Sequence, residues 1–490
     1  MLADPLATVG IVNNETSPFE ERLAMIRVLT TTAALSLLLS SSANISAGEV
    51  VTYPAPQGGD LSTDYEVTVD GKKIDLYRAR TLDPPFADKQ WDYGGPYSFA
   101  NFDMAGRVEV RVTSKRSLTE TVIRPVSAGI QAKVVDDHTL TFRLDRPRKL
   151  SIEPDGRSGP LLLFANPMQK APPKADDPNV VYFGSGVHKP GKIELGPGQT
   201  LYLAGGAVVK GGVIARGDDI TICGRGILCG NDWQWRQGPT PTVIAIQGNN
   251  VNVCGITIRG ASHWTIVPRH SRHVTVRNVK LCNSRVQNDD GINPCNSQDV
   301  LITDCFIRSD DDCVAMKGIN FAETDNNVQR VTVENCILWC DRARIFLLGH
   351  ESRAQYMSQI TLKNLDIIHF TMTPFLFEPG EDMRLEDVTV SNVRMHGEGQ
   401  REFIRLRPVV NQYMHKQTPG YVSDIRFESV TITGKPGPYL VQLMGADAEH
   451  NVKDVTFRSV TLLDRPMTAA SENVHLGEHV EGVKFELPLP

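Results

Sequence analysis

The stretch DVLITDCFI, residues 299–307, decides the fold. Val300 and Ile302 alternate with polar neighbours. Asp304 then interrupts, and the alternation resumes through Cys305 and Ile307. This is the pattern of two short β-strands joined by a tight bend. The same nine-residue pattern begins at 219 (DITICGRGI), 250 (NVNVCGITI), 273 (HVTVRNVKL) and 330 (RVTVENCIL), and again at 359 (QITLKNLDI), 387 (DVTVSNVRM), 424 (DIRFESVTI) and 454 (DVTFRSVTL). The units recur every 23 to 37 residues with no helical segment between them. Such a period, carried by strands, predicts a β-solenoid whose coils stack and bury a continuous aliphatic column. A β-sandwich of regular hairpins fits worse, because few Asn-Gly or Asp-Gly turns separate the units.

Working outward, residues 50–165 alternate in strands such as VEVRVTS, HTLTFRL and KLSIEP but lack the coil motif. They predict a separate small β-sandwich. NPMQKAPPKADDPN (166–179), rich in Pro and charge, reads as a linker. The expected organisation is a sandwich over 48–165, a linker over 166–180 and a solenoid catalytic domain over 181–490. Of the nine Cys, Cys305 and Cys336 share one inward coil position, and Cys223 and Cys254 share another. There they act as small apolar thiols.

Near the N-terminus, Met25-Ile26-Arg27 precedes VLTTTAALSLLL and SSSANISAGE. A basic start, an apolar stretch and small residues predict a secretory signal within 1–47, with Met25 as the start. The protein is therefore expected to be secreted or periplasmic. A net charge of −6 gives no nucleic-acid footprint, and no apolar run is long enough to span a bilayer. A monomer is expected.

Between Asn288 and Cys313 lie seven Asp, three of them consecutive at 310–312. Asp290-Gly291-Ile292 and Asp312-Cys313-Val314 share a local phase one coil apart, so Asp290 and Asp312 stack at roughly the strand spacing of 4.8 Å. A bend is needed to bring Asp311 into the same groove. Like charges so close require a proton or a cation. Glycosidic hydrolysis uses such a set, one carboxyl as acid and the others holding water. A Ca²⁺ site would use the same oxygens. Solenoid turns filled by Asp and Asn are the plain alternative.

NDDGIN and DDDCVAMKG, 21 residues apart from Asp290 to Asp311, resemble the signature of glycoside hydrolase family 28, the polygalacturonase family. GRGILCGNDWQW (224–235) and SHWTI (262–266) resemble further segments of that family. The resemblance implies an all-β chain with a right-handed parallel β-helix and an inverting hydrolase. Asp311 would be the general acid, and Asp290 and Asp312 would hold the attacking water. Where the family carries Gly-His-Gly this chain reads CDRARIFLLGHES, which brings Arg342 or Arg344 to that place and His350 further along. TPFLFEPGED stands where the family's Arg-Ile-Lys grips a uronate, and RLRP (405–408) lies one coil later. The N-terminal sandwich ending in RKLSIEPDG…LLLFANP resembles that of glycoside hydrolase family 49, the dextranase and isopullulanase family.

Candidate substrate contacts are Lys317, Arg342, Arg344 and His350 for carboxylate or hydroxyl groups, with His263 and Trp264 beside the Asp cluster. Trp233, Trp235 and Trp339 are candidates for stacking on a pyranose, and Glu378 could line the same face. The expected function is a secreted glycosidase cleaving a pectic polysaccharide or its oligomers, with no cofactor and no metal. Alternatives are an α-glucan hydrolase of the dextranase type, a Ca²⁺-dependent lyase and a non-catalytic carbohydrate-binding solenoid.

Overall fold

In a computed structural model describing residues 48–88, 91–320 and 326–487, each nine-residue unit forms two strands meeting at a bend. The expected signal segment, 1–47, lies outside the described residues. Turn chemistry explains the motif. Its first position has positive φ in every unit, from Asp219 (61°) through Asn250, His273, Asp299, Arg330, Gln359, Asp387 and Asp424 to Asp454 (55°). The sixth position does too, at Gly224, Gly255, Asn278, Asp304, Asn335, Asn364, Asn392, Ser429 and Ser459. Two left-handed residues per coil turn the chain, and Gly, Asn and Asp occupy that region at least cost.

Between the corners the inward positions stack in register. Val274, Val300, Val331, Ile360, Val388, Ile425 and Val455 are successive partners in one parallel ladder, and all are buried. Further along the core Phe427, Phe457 and Phe485 stack at 5.4 and 5.1 Å. Each such side chain contributes about 1.5–3 kcal/mol on burial. Cys305 and Cys336 lie against each other in this column as thiols, as the repeat predicts. The fold is an all-β, right-handed parallel β-helix preceded by a small β-sandwich. Among the described residues one short 3₁₀ turn, Val126–Ala128, is the helical content.

A third strand in the coil builds the face that matters for chemistry. Val314–Gly318, Phe346–Ser352, Phe375–Phe377, Glu402–Leu406, Leu440–Leu443 and Val474–Leu476 form one parallel sheet, which earlier coils extend through bridges from Ile292 to Val314 and from Ile266 to Ile292.

The sandwich has a six-stranded and a five-stranded sheet. Their shared core includes Val67, Val110, Leu140, Phe102, Leu150 and Leu163. The strands Tyr97–Ala105 and Leu161–Pro167 pair in parallel and are buried on both faces. Leu161, Leu163 and Ala165 enter the sandwich core. Their alternating neighbours Leu162 and Phe164 pack with Phe306, Trp339 and Ile368 of the solenoid. Gly48–Pro490 accordingly forms one compact unit. Polar contacts reinforce the joint: Arg225 Nε meets Asp103 at 2.6 Å, and buried Glu153, braced within the sandwich by Arg124 (2.9 Å), lies 3.1 Å from His369 of the solenoid. Trp339, expected as a sugar platform, is fully buried here between Arg308 and His369. It faces out of the coil, and the sandwich residues Leu162 and Phe164 cover it.

Candidate active site

Three residues stand two positions before register-paired strand residues. Asp290 precedes Ile292, Asp312 precedes Val314, and Arg344 precedes Phe346. Ladder bonds from Gly291 N to Asp312 O (2.9 Å) and from Cys313 N to Arg344 O (3.0 Å) hold them one above another. The spacing argument for Asp290 and Asp312 therefore describes the observed column. The backbone bends at Asp310 and Asp311, the feature needed to bring Asp311 toward the same groove.

The carboxylates differ in environment. Asp290 and Asp312 side chains are 2% and 3% exposed, against 13% for Asp311. Asp290 Oδ2 accepts from Asn293 Nδ2 at 2.8 Å and lies 3.8 Å from Lys317 Nζ. Its Oδ1 has no protein donor. Burial, and next the Asp311 charge, push Asp290 well above the usual carboxylate range. Burial also raises Asp312 to about 6, although Arg344 opposes the rise from 3.0 Å. Asp311 Oδ2 accepts from Arg342 Nη2 and from Asn288 Nδ2, each at 3.1 Å.

The remaining Asp are braces. Asp289 is fully buried and accepts from the backbone N–H groups of Ser284, Arg285 and Asp310. Asp310, also fully buried, holds Arg342 through both oxygens and accepts the Tyr93 hydroxyl. Burial raises its carboxyl to about 6. Arg342 is thus a strut linking Asp310 and Asp311, and Arg344 is the arginine in the Asp290–Asp312 column. That registration separates two residues the sequence left as alternatives.

On the earlier-coil side, the Trp264 ring is flanked by His263 (centroids 5.3 Å apart) and by Lys317 Nζ at 4.5 Å. Lys317 also pairs with Glu351 at 3.1 Å. Burial lowers His263 to about 4, so its imidazole is neutral at pH 7. Trp235 Nε1 reaches Asn288 Oδ1 at 3.3 Å, with Arg236 over its ring. Trp233 lies half-buried nearby.

On the later-coil side, Arg344 opens onto a cavity of about 670 Å³ that also touches His350, Glu378, Glu402 and Arg405. Arginines on this side are largely paired. Arg405 meets Glu402 and lies 3.7 Å from Glu378, and Arg407 meets Glu378 at 2.8 Å. His350 Nδ1 is 3.8 Å from Glu378 Oε2, and burial lowers its pKa. The RLRP arginines therefore do lie on the face one coil beyond TPFLFEPGED.

Sequence reasoning missed the residues that reach this site from the sandwich. Residues 80–88 and 91–96 reach from the sandwich to the coils. Leu82 N and Asp83 N donate to Ser284 O and Arg285 O, at 3.0 and 2.7 Å. Asp83 pairs with Arg285 at 2.9 Å, and Tyr93 O accepts from buried Arg308 at 2.7 Å. Nothing periodic marks WDYGGPY as a cleft segment, because its partners are some 200 residues away.

Comparison with known proteins agrees with this architecture. Residues 218–338 match the model of Glycosyl hydrolases family 28. A "Probable polygalacturonase" of Vitis vinifera is 34% identical over 288 residues, covering 55% of this chain and 49% of that protein. A second, from Arabidopsis thaliana, is 26% identical over 132 residues, covering 23% of this chain and 29% of that one. The chain thus spans about half the length of the first relative and less of the second. Two solved structures share the fold. Dex49A from Penicillium minioluteum has a TM-score of 0.59 at 18% identity, covering 86% of this chain and 92% of that one. The Yersinia enterocolitica family 28 exopolygalacturonase has a TM-score of 0.51 at 14% identity, covering 90% and 97%. Over residues 218–338, Asp290, Asp311 and Asp312 included, the chain carries the sequence pattern of glycosyl hydrolases family 28 on a right-handed parallel β-helix.

Proposed function

We propose that the protein is an exported inverting glycoside hydrolase acting on a pectic, polygalacturonate-like glycan. The observation that carries this reading is the column of Asp290 and Asp312 with Asp311 at its mouth, inside the family-matching segment. Asp311, the most exposed of the three, donates the proton to the departing glycosidic oxygen. Asp312 takes the proton of the attacking water, and Asp290, whose Oδ1 has no protein partner, helps to hold that water. Inversion needs carboxyls about 6.5–9.5 Å apart with the water between them. Arg344 and Lys317, on either side, balance charge as the proton moves.

Incubation with polygalacturonate, rhamnogalacturonan, dextran and pullulan, reading new reducing ends, tests this. Release from a pectic polymer, absent in Asp311→Asn, is expected. The pairing of Arg405 and Arg407 with Glu378 and Glu402 favours a second reading, an α-glucan hydrolase, because it leaves fewer free cations for a uronate. Release from dextran or pullulan alone would select it.

A further inference from the structure

The cavity beside Arg344 has an unusual wall. Trp91, Met372 and Tyr413 line it and are 42%, 41% and 49% exposed. Large apolar side chains left open to solvent at one site mark a binding surface rather than a core. Polar groups lie among them: Thr373, Glu402, Arg401 and Arg405. Flat apolar rings interleaved with hydroxyl-binding groups are the chemistry that takes a pyranose, whose C–H face stacks on a ring while its rim forms hydrogen bonds.

Met372 and Tyr413 belong to the coils, but Trp91 does not. It lies in residues 91–96, which lead back into the sandwich strand Tyr97–Ala105. Two residues on, Tyr93 is fixed by its hydroxyl on Asp310 and its carbonyl on Arg308. Asp310 directly precedes Asp311. Asp83, in the described stretch 80–88, pairs with Arg285 of the coils. Trp91 is therefore two residues from a fixed point, an anchor on the residue next to the proposed acid.

We propose that Trp91 is a specificity-determining residue, an aromatic platform from the sandwich that binds the sugar unit on the Arg344 side of the three carboxylates. This rests on the glycosidase reading and adds that the catalytic cleft is completed by the N-terminal part of the chain. Among the described residues no hydrogen bond joins Trp91 to Asp290, Asp311 or Asp312, so its loss weakens substrate binding and spares the chemical step.

The test compares full-length wild type, Trp91→Ala and Trp91→Phe on the polymer that wild type hydrolyses. Trp91→Ala should raise KM about 5- to 10-fold, the scale of one ring contact, with kcat within about twofold. Trp91→Phe should recover most of the loss. A second readout needs no turnover. Asp311→Asn protein is titrated with trigalacturonate, isomaltotriose and maltotriose while tryptophan fluorescence is followed. At least one sugar should change the emission, and Trp91→Phe in that background should remove the change. A Trp91→Ala KM within twofold of wild type, or a fluorescence change that survives Trp91→Phe, overturns the proposal while hydrolysis by wild type keeps the glycosidase reading. No hydrolysis, together with a change that depends on Trp91, overturns that reading and keeps the platform. Silence in both assays removes both.

Discussion

Two runs of the same chemistry, Asn288-Asp289-Asp290 and Asp310-Asp311-Asp312, sit one coil apart, yet they divide their work differently. In the first, the middle residue is the brace: Asp289 is sealed inside by three backbone donors. In the second, the first residue is the brace: Asp310 is sealed by Arg342 and Tyr93, and the middle residue, Asp311, turns outward. The last residues, Asp290 and Asp312, match. Identical side chains at equivalent coil positions become scaffold or reactive group according to what the neighbouring strand and the sandwich offer them. Position in the repeat fixes only the column.

The largest effect expected from this contrast is catalytic. Asp311→Asn should lower kcat by about 10³-fold, within the span for a lost general acid, while the melting temperature stays within about 2 °C. A comparable loss of stability would make Asp311 a brace as well. Next is Asp310→Ala, which strands Arg342 and Tyr93. Breaking a buried ion pair by removing one partner costs about 3–5 kcal/mol, to be read by urea unfolding. An Asp310→Ala protein as stable as wild type would erase the distinction. A smaller effect is Tyr93→Phe, which removes one hydrogen bond to a carboxylate, worth about 1.5–3 kcal/mol, and should leave kcat within a few-fold.

The smallest effect is in pH dependence. Asp310 and Asp312 rise from an ordinary 3.8 to about 6, so each binds its proton more tightly folded than unfolded. Their contribution to folding stability therefore decreases as pH rises from about 4 through 6 and is level above that. Asp312→Asn should flatten the melting-temperature profile over that window. An unchanged slope would show that Asp312 does not carry it.

The coils were legible because their cause is local. Alternation and a left-handed corner every few residues are written in short windows, as Asp304 and Asn335 show. Asp290 and Asp312 were legible for the same reason, since their phase follows from Ile292 and Val314. What escaped was whatever depends on distant chain. Trp339 reads as a surface aromatic until Leu162 and Phe164 are packed near it. Asp310 cannot be told from Asp311 until Tyr93 arrives, and Arg342 cannot be told from Arg344 until the ladder is registered. Trp91 carries no motif, since its neighbour Tyr93 is tied to Asp310 and Arg308, more than 200 residues on.

The doubly buried strand pair Tyr97–Ala105 and Leu161–Pro167 bears on how this protein can be engineered. Accessory sugar-binding modules are often moved between enzymes as cassettes. Here such a cut would bare Phe306 and Ile368 on the coils and Phe99 and Phe164 on the sandwich, two sticky faces in place of one sealed joint. It would also withdraw the tyrosine that steadies the residue beside the proposed acid. The sandwich behaves as a structural part of one fold, and variants swapping it for a foreign module should be recovered as aggregates.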